Sequence, residues 1–280
     1  MRSKLVGLLA IAVLVLGAAG CGGSDQPKEP AGESAAAPQP ADQAAAPART
    51  GLQKIGDMLD AWNTLYQQNE AAINDYEGMP IMELVTPATT FIGSVQFDLL
   101  NLDNTDGHFT GKLMLAGYPA VMDRAGSMIT FSYDFKREKD GFGPLAKAGD
   151  RVVENGSLDL NQAYYKAEDF TERGGKRIAR SYHEFKRLGD GSMICLVFSG
   201  QAFDARGDAQ PSDRVIFIHN GPNRYDFVVG KGTSGPAFTP ISFADKGDLT
   251  KSQAIALFQS AGYTIDKSGG ILNGKLVLDK

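Results

Sequence analysis

The chain has 280 residues, 28 Lys+Arg against 33 Asp+Glu, a formal charge of −5 and only two cysteines. A mildly acidic chain argues against nucleic-acid binding and against a polybasic membrane patch. With Cys21 committed elsewhere (below), Cys195 has no intrachain partner, so the fold must rest on its core rather than on a disulfide.

The amino end carries Arg2 and Lys4 ahead of an apolar run from Leu5 to Leu16, which closes in Gly17-Ala18-Ala19-Gly20-Cys21. A membrane-spanning helix needs about 20 apolar residues. This run is shorter and ends in small residues, the pattern of a cleaved signal peptide. Residues 1–25 resemble bacterial lipoprotein precursors at Ala19, Gly20 and Cys21, while Ala18 stands where that family more often has leucine. The resemblance implies cleavage of the Gly20–Cys21 bond and acylation of Cys21. It places the mature chain in the bacterial cell envelope, lipid-anchored on the extracytoplasmic side of a membrane. Loss of Arg2 and Lys4 would take the charge from −5 to −7.

Residues 21–49 follow as the acylated cysteine and a tether. From Gly22 onward they contain no aromatic or large aliphatic side chain, so they cannot bury enough apolar surface to offset chain entropy. The globular domain is expected over 50–280. Thr50-Gly51-Leu52-Gln53 suits a capping box. Leu52, Ile55, Leu59, Trp62, Tyr66, Ile73 and Tyr76 form a helical stripe that Asn69 interrupts, with Lys54, Asp57, Gln67, Gln68 and Asp75 on the polar face. Gly78 and Pro80 end it.

From about Phe91 the period changes to two. Val95, Phe97 and Leu99 alternate with polar residues, Asp103 to Gly107 make a turn, and a strand resumes at Phe109. The cleanest alternation is Ile129, Phe131, Tyr133 and Phe135. Lys136 to Gly149 reads as a loop. Asn155-Gly156 predicts a tight hairpin turn before Leu158, Leu160, Gln162 and Tyr164. Two long strands then flank Gly174-Gly175. In the second, Arg180 and Glu184 share a side with Ile178 and Tyr182, which predicts an exposed hairpin or a strand lining a wet groove.

Gly189-Asp190-Gly191 leads into Met193 to Phe198, apolar on both faces, and Val215 to Ile218 reads alike. A Gly/Pro-rich passage follows Tyr225 to Val229 and runs to Gly247. Thr250 caps a second helix that Gly262 stops, and short strands are expected near Tyr263-Thr264-Ile265 and at Lys275 to Leu278. The expected fold is one α+β domain, a β-rich antiparallel meander covered by an N-terminal and a C-terminal helix. That layout resembles the half-barrel of bacterial lipoprotein-carrier proteins and related glycolipid-binding lipoproteins.

No chemical motif survives its context. Gly230-Lys231-Gly232-Thr233-Ser234-Gly235 has the dinucleotide spacing, yet Pro236 and Pro240 stand where a phosphate-binding helix must begin. His108, His183 and His219 lack second ligands at metal-binding spacing. Asp103 and Asp106 lie in a turn without the ligand pattern of a calcium loop. G-x-S-x-G and S-x-x-K are absent, and Cys195 sits in an apolar run as a small hydrophobe. Glu172 to Arg177 forms a basic hairpin tip able to meet anionic headgroups or an acidic partner. These readings favour a non-catalytic envelope lipoprotein, without cofactor or metal, that binds an apolar or amphipathic ligand such as a lipid. The alternative is an interaction or structural subunit contacting another envelope protein through that tip or the Trp62/Tyr66/Tyr76 helix face. An enzyme with residues assembled only by folding ranks third.

Overall fold

The computed structural model describes residues 106–112 and 119–279, with short gaps at 142–145, 205, 223, 244–245 and 273, and six positions between Asp57 and Asn69. The signal segment, Gly20–Cys21, the tether, the strand proposed around Val95 and the contact face of Trp62, Tyr66 and Tyr76 lie outside the described residues.

Among the described residues, eleven strands form one antiparallel sheet whose spatial order follows the chain. They are β1 (Gly107–Lys112), β2 (Pro119–Ala125), β3 (Met128–Lys136), β4 (Arg151–Asp159), β5 (Tyr164–Arg173), β6 (Lys176–Arg187), β7 (Met193–Phe203), β8 (Ala209–Gly221), β9 (Arg224–Gly232), β10 (Thr264–Leu272) and β11 (Lys275–Leu278). The β5–β6 turn is Gly174-Gly175, with φ of +57° and +76°. Both central residues of a tight twisted hairpin need that left-handed region, which glycine enters without a Cβ clash.

The β-rich, antiparallel expectation holds, and the alternation at Ile129, Phe131 and Tyr133 falls on β3. The Asn155-Gly156 turn is a misreading. Both residues lie inside β4, where Gly156 pairs with Phe131 and Ala167. A Cβ at Gly156 would stand 2.0 Å from the Phe131 ring. The glycine therefore seats an aromatic side chain that stacks on Tyr165, and the chain reverses at Leu160 to Ala163 instead. Ala163 takes φ of +47° there. The strand near Tyr263 is also longer than expected, because β10 continues through Ser268-Gly269-Gly270 to pair with β11.

Strand alternation splits the core in two. One face holds Ile194, Leu196, Phe198, Val215, Phe217 and Val228, packed against a strap from Gly235 to Leu249 and a helix α1 (Lys251–Ser260). The Thr250 capping box with Gln253 is present, and Ala254 and Phe258 turn inward. Phe198 stacks on Phe238 of the strap and meets Phe258 and Tyr263 edge-on. The strap needs Gly200 beneath it, because a Cβ there would lie 2.1 Å from the Gly235 carbonyl oxygen.

This strap also corrects the reading of β6. Glu184 is fully buried rather than wet. Its Oε1 accepts from the Tyr164 hydroxyl and from Ser242 Oγ at 2.7 Å, and its Oε2 accepts from the Phe243 amide at 3.0 Å. Arg180 donates to the Phe238 carbonyl and to Glu168 while lying over the Phe238 ring. Polar side chains on β6 thus fasten the strap.

The opposite face carries the other cluster, and Ala61 packs against it. The described positions from Asp57 to Asn69 are helical, with Gln67 and Gln68 exposed and Asn69 buried. Asn69 Nδ2 donates to Asn220 Oδ1 at 3.1 Å. The polar residue that interrupts the apolar stripe is therefore a buried hydrogen-bond partner of β8.

Candidate functional site

Register on this second face orders its side chains into rows that cross seven strands. Ile129, Leu158, Tyr165, Phe185, Cys195, Ile218 and Phe227 lie opposite one another in turn from β3 to β9. All of these are buried. The next row, about 7 Å along the strands, is Phe131, Gly156, Ala167, His183, Val197, Ile216 and Val229. The third is Tyr133, Glu154, Asp169, Ser181, Ser199, Arg214 and Lys231. The face passes from apolar to mainly polar within three rows, with Tyr133 still packed against the apolar cluster.

Over β6 to β9 the polar row opens into a cleft of about 490 Å³. Ser181, Ser199, Arg214 and Lys231 supply its floor, with Ala179, Gln201 and Ser212 beyond them. Arg180, Gly200, Asp213 and Gly232 border it too, but the Arg180 and Asp213 side chains belong to the strap face. Asp213, for instance, is buried and accepts the Gly235 amide at 3.0 Å. Among the described residues, the side chains aimed into the cleft are thus two cations, three serines and a glutamine, with no carboxylate among them. At its rim Lys231 Nζ lies 2.7 Å from Asp266. A larger crevice of about 580 Å³ runs between α1 and its own lead-in, Lys246 to Leu249; its lining comes from one short stretch of chain rather than from converging strands.

On the acidic side of the row, Tyr133 donates a short hydrogen bond to Glu154, and burial first, then that carboxylate, pushes the phenol pKa far up. His183 Nε2 stands 3.7 Å from Asp169 and its Nδ1 is buried without a hydrogen-bond partner. Neither Ser181 nor Ser199 makes a hydrogen bond to a histidine among the described residues.

The sequence candidates mostly take structural places. Cys195 is buried and unpaired, its thiol pKa raised by burial. His108 meets Asp123 on the exposed surface at 2.7 Å. His219 is wholly buried on the strap face, with Asp248 at 3.5 Å from Nδ1. No cluster of metal-ligating side chains exists among the described residues. The Gly230–Gly235 motif runs from β9 into the strap, and only a three-residue 3₁₀ turn follows it. At the basic tip, Arg173 forks onto Asp150, Arg151 bonds Glu172, and Arg177 covers the Phe170 ring at 4.3 Å. Asp106 accepts from the Gly126 amide.

Ser181, Ser199, Arg214 and Lys231 were not singled out as a group from sequence. Each shows as a polar residue at alternating strand positions, but only the pairing of four strands brings them side by side. No protein-family model matches the chain, and no curated protein or solved structure matches it either.

Proposed function

We propose that the protein is a lipoprotein of the bacterial cell envelope, anchored through Cys21 on the extracytoplasmic side, that binds an amphipathic ligand such as a lipid without catalysing a reaction. The observation that carries the ligand reading is the gradient across one sheet face, from buried apolar rows to a polar cleft open to solvent. An amphiphile has the same order of parts. The inner rows are covered by the protein itself, so an acyl chain reaches them only by displacing that cover. The cleft is where a headgroup first meets the face. In this reading the sheet is a half-barrel with the graded face on its concave side.

The anchor rests on the Leu16 to Cys21 segment and its resemblance to lipoprotein precursors. Each buried methylene contributes about 0.8 kcal/mol, and one acyl chain alone holds only marginally. The diacylglyceryl group of that family brings two chains, enough for stable attachment. Replacing Cys21→Ser should leave an unprocessed precursor without acyl label; normal processing of that variant would remove the anchor from the proposal.

The ligand reading is tested on full chain purified from its host in neutral detergent. Native mass spectrometry and solvent extraction should find lipid at near-equal stoichiometry. A chain that carries none, and takes up none from a total lipid extract, overturns it.

A further inference from the structure

We infer that the cleft over β6 to β9 is a seat for a phosphate-type anion, with the Arg214 guanidinium and the Lys231 ammonium as its charged donors and Ser181 and Ser199 as its hydroxyl donors. The inference rests on the amphiphile reading and names the chemistry of the ligand's polar end.

Four features of the cleft point the same way. The floor residues are register neighbours, so their side chains rise from adjacent strands about 4.8 Å apart onto one surface. A tetrahedral anion offers several acceptor oxygens, and guanidinium, ammonium and hydroxyl groups offer only or mainly donors to meet them. Among the described residues, the one carboxylate of the lining, Asp213, is turned to the other face and committed to the Gly235 amide, and the carboxylate at the rim, Asp266, is held by Lys231. The Lys231–Asp266 pair at the rim has a lysine side chain 59% exposed. Such a pair contributes little in water, and the ammonium has further protons to share with an incoming oxygen. A neutral sugar fits less well, because the described residues of the lining include no aromatic ring for it to stack on.

The anion could come as a lipid headgroup or as free phosphate, and the test separates them. Full chain in neutral detergent is titrated calorimetrically with inorganic phosphate, with a short-chain phosphatidylglycerol and with an uncharged diacylglycerol of the same chain length. Phosphatidylglycerol should bind at least about tenfold tighter than diacylglycerol. The Arg214→Gln/Lys231→Gln double variant should lose that preference while still binding diacylglycerol. Arg214→Lys, which keeps the charge, should retain most of it, and a melting curve checks that each variant folds.

Phosphate binding that is abolished in the double variant, without lipid binding, keeps the anion seat, assigns it to the free ion and ends the amphiphile reading. Equal affinity for both lipids, or a preference unchanged in the double variant, overturns the anion seat and leaves the amphiphile reading standing. If none of the three probes binds, both fall.

Discussion

Removing the carboxylate of Glu184 should release the strap from the sheet. The group is wholly buried and receives two hydroxyls and the Phe243 amide. In Glu184→Ala the two hydroxyls can swing toward other acceptors, but the backbone N–H of Phe243 cannot. A buried donor left unpaired costs about 1–3 kcal/mol, and hydrogen bonds to a charged acceptor contribute about 1.5–3 kcal/mol each. Allowing for partial rearrangement, the variant should lose about 4 kcal/mol. For a body of this size each kcal/mol moves the melting point by about 2–4 °C, so a drop of about 8–16 °C is expected. Glu184→Gln can turn its oxygen to the Phe243 amide and its NH2 to the hydroxyl oxygens, so it should lose only the charge assistance, about 1–2 kcal/mol. Thermal melting of the full chain gives the ordering, and hydrogen exchange at the Phe243 amide locates it. Two results would refute the reasoning: a Glu184→Ala melt within 2 °C of the parent (below even ~1 kcal/mol on that scale), or unchanged protection of that amide.

Gly156→Ala should destabilise by about 1–3 kcal/mol, the usual range for overpacking, because its Cβ would enter the Phe131 ring. In a Phe131→Ala background the same substitution should cost much less, and a double-mutant cycle by denaturant unfolding measures the difference. His219 has a folded-state pKa below its ordinary 6.5, through burial first and the nearby Arg224 second. The unfolded chain therefore binds the proton first, so His219 stabilises fully above pH ~6.5 and loses that contribution as pH falls toward its folded pKa. His219→Gln should flatten the stability profile just below pH 6.5, where a slope equal to the parent's would contradict this. Cys195 is 2% exposed with its thiol pKa raised, so a thiol reagent should stay silent on native protein. After denaturation it should count one thiol per chain if Cys21 is acylated, and two if it is not.

Local chemistry was legible where one strand or one cap decides the outcome. The Thr250 helix cap, the Gly174-Gly175 hairpin and the alternation from Ile129 to Phe135 all read correctly, because each needs only neighbours in sequence. The errors arose where a partner from another strand supplies the reason. Asn155-Gly156 carries a strong turn signal, but the missing Cβ accommodates Phe131, which lies on β3. Glu184 and Arg180 look wet because their partners, Ser242, Phe243 and Phe238, lie about 60 residues on in the strap. Asn69 breaks the helical stripe in the sequence, and Asn220 explains it. The cleft was invisible for the same reason: a serine at every second position of a strand is ordinary until register puts Ser181, Ser199, Arg214 and Lys231 together.

A polar end to a sheet is common, and charged residues there usually mark no more than solvation. The arrangement along this row argues for more. Its acids, Glu154 and Asp169, sit on β4 and β5, its cations, Arg214 and Lys231, on β8 and β9, and Ser181 and Ser199 separate them. From β5 to β8 is three strand spacings, about 14 Å. Opposite charges that far apart across solvent exceed the physiological screening length of about 8 Å, so the acidic half cannot neutralise the basic half. Glu154 is further occupied by the Tyr133 hydroxyl, and Asp169 faces His183. The row's cations and hydroxyls thus gather on one side of it, where Lys231 shares its ammonium with Asp266 at the rim, and an anion reaching this face would meet its donors on the β8–β9 side.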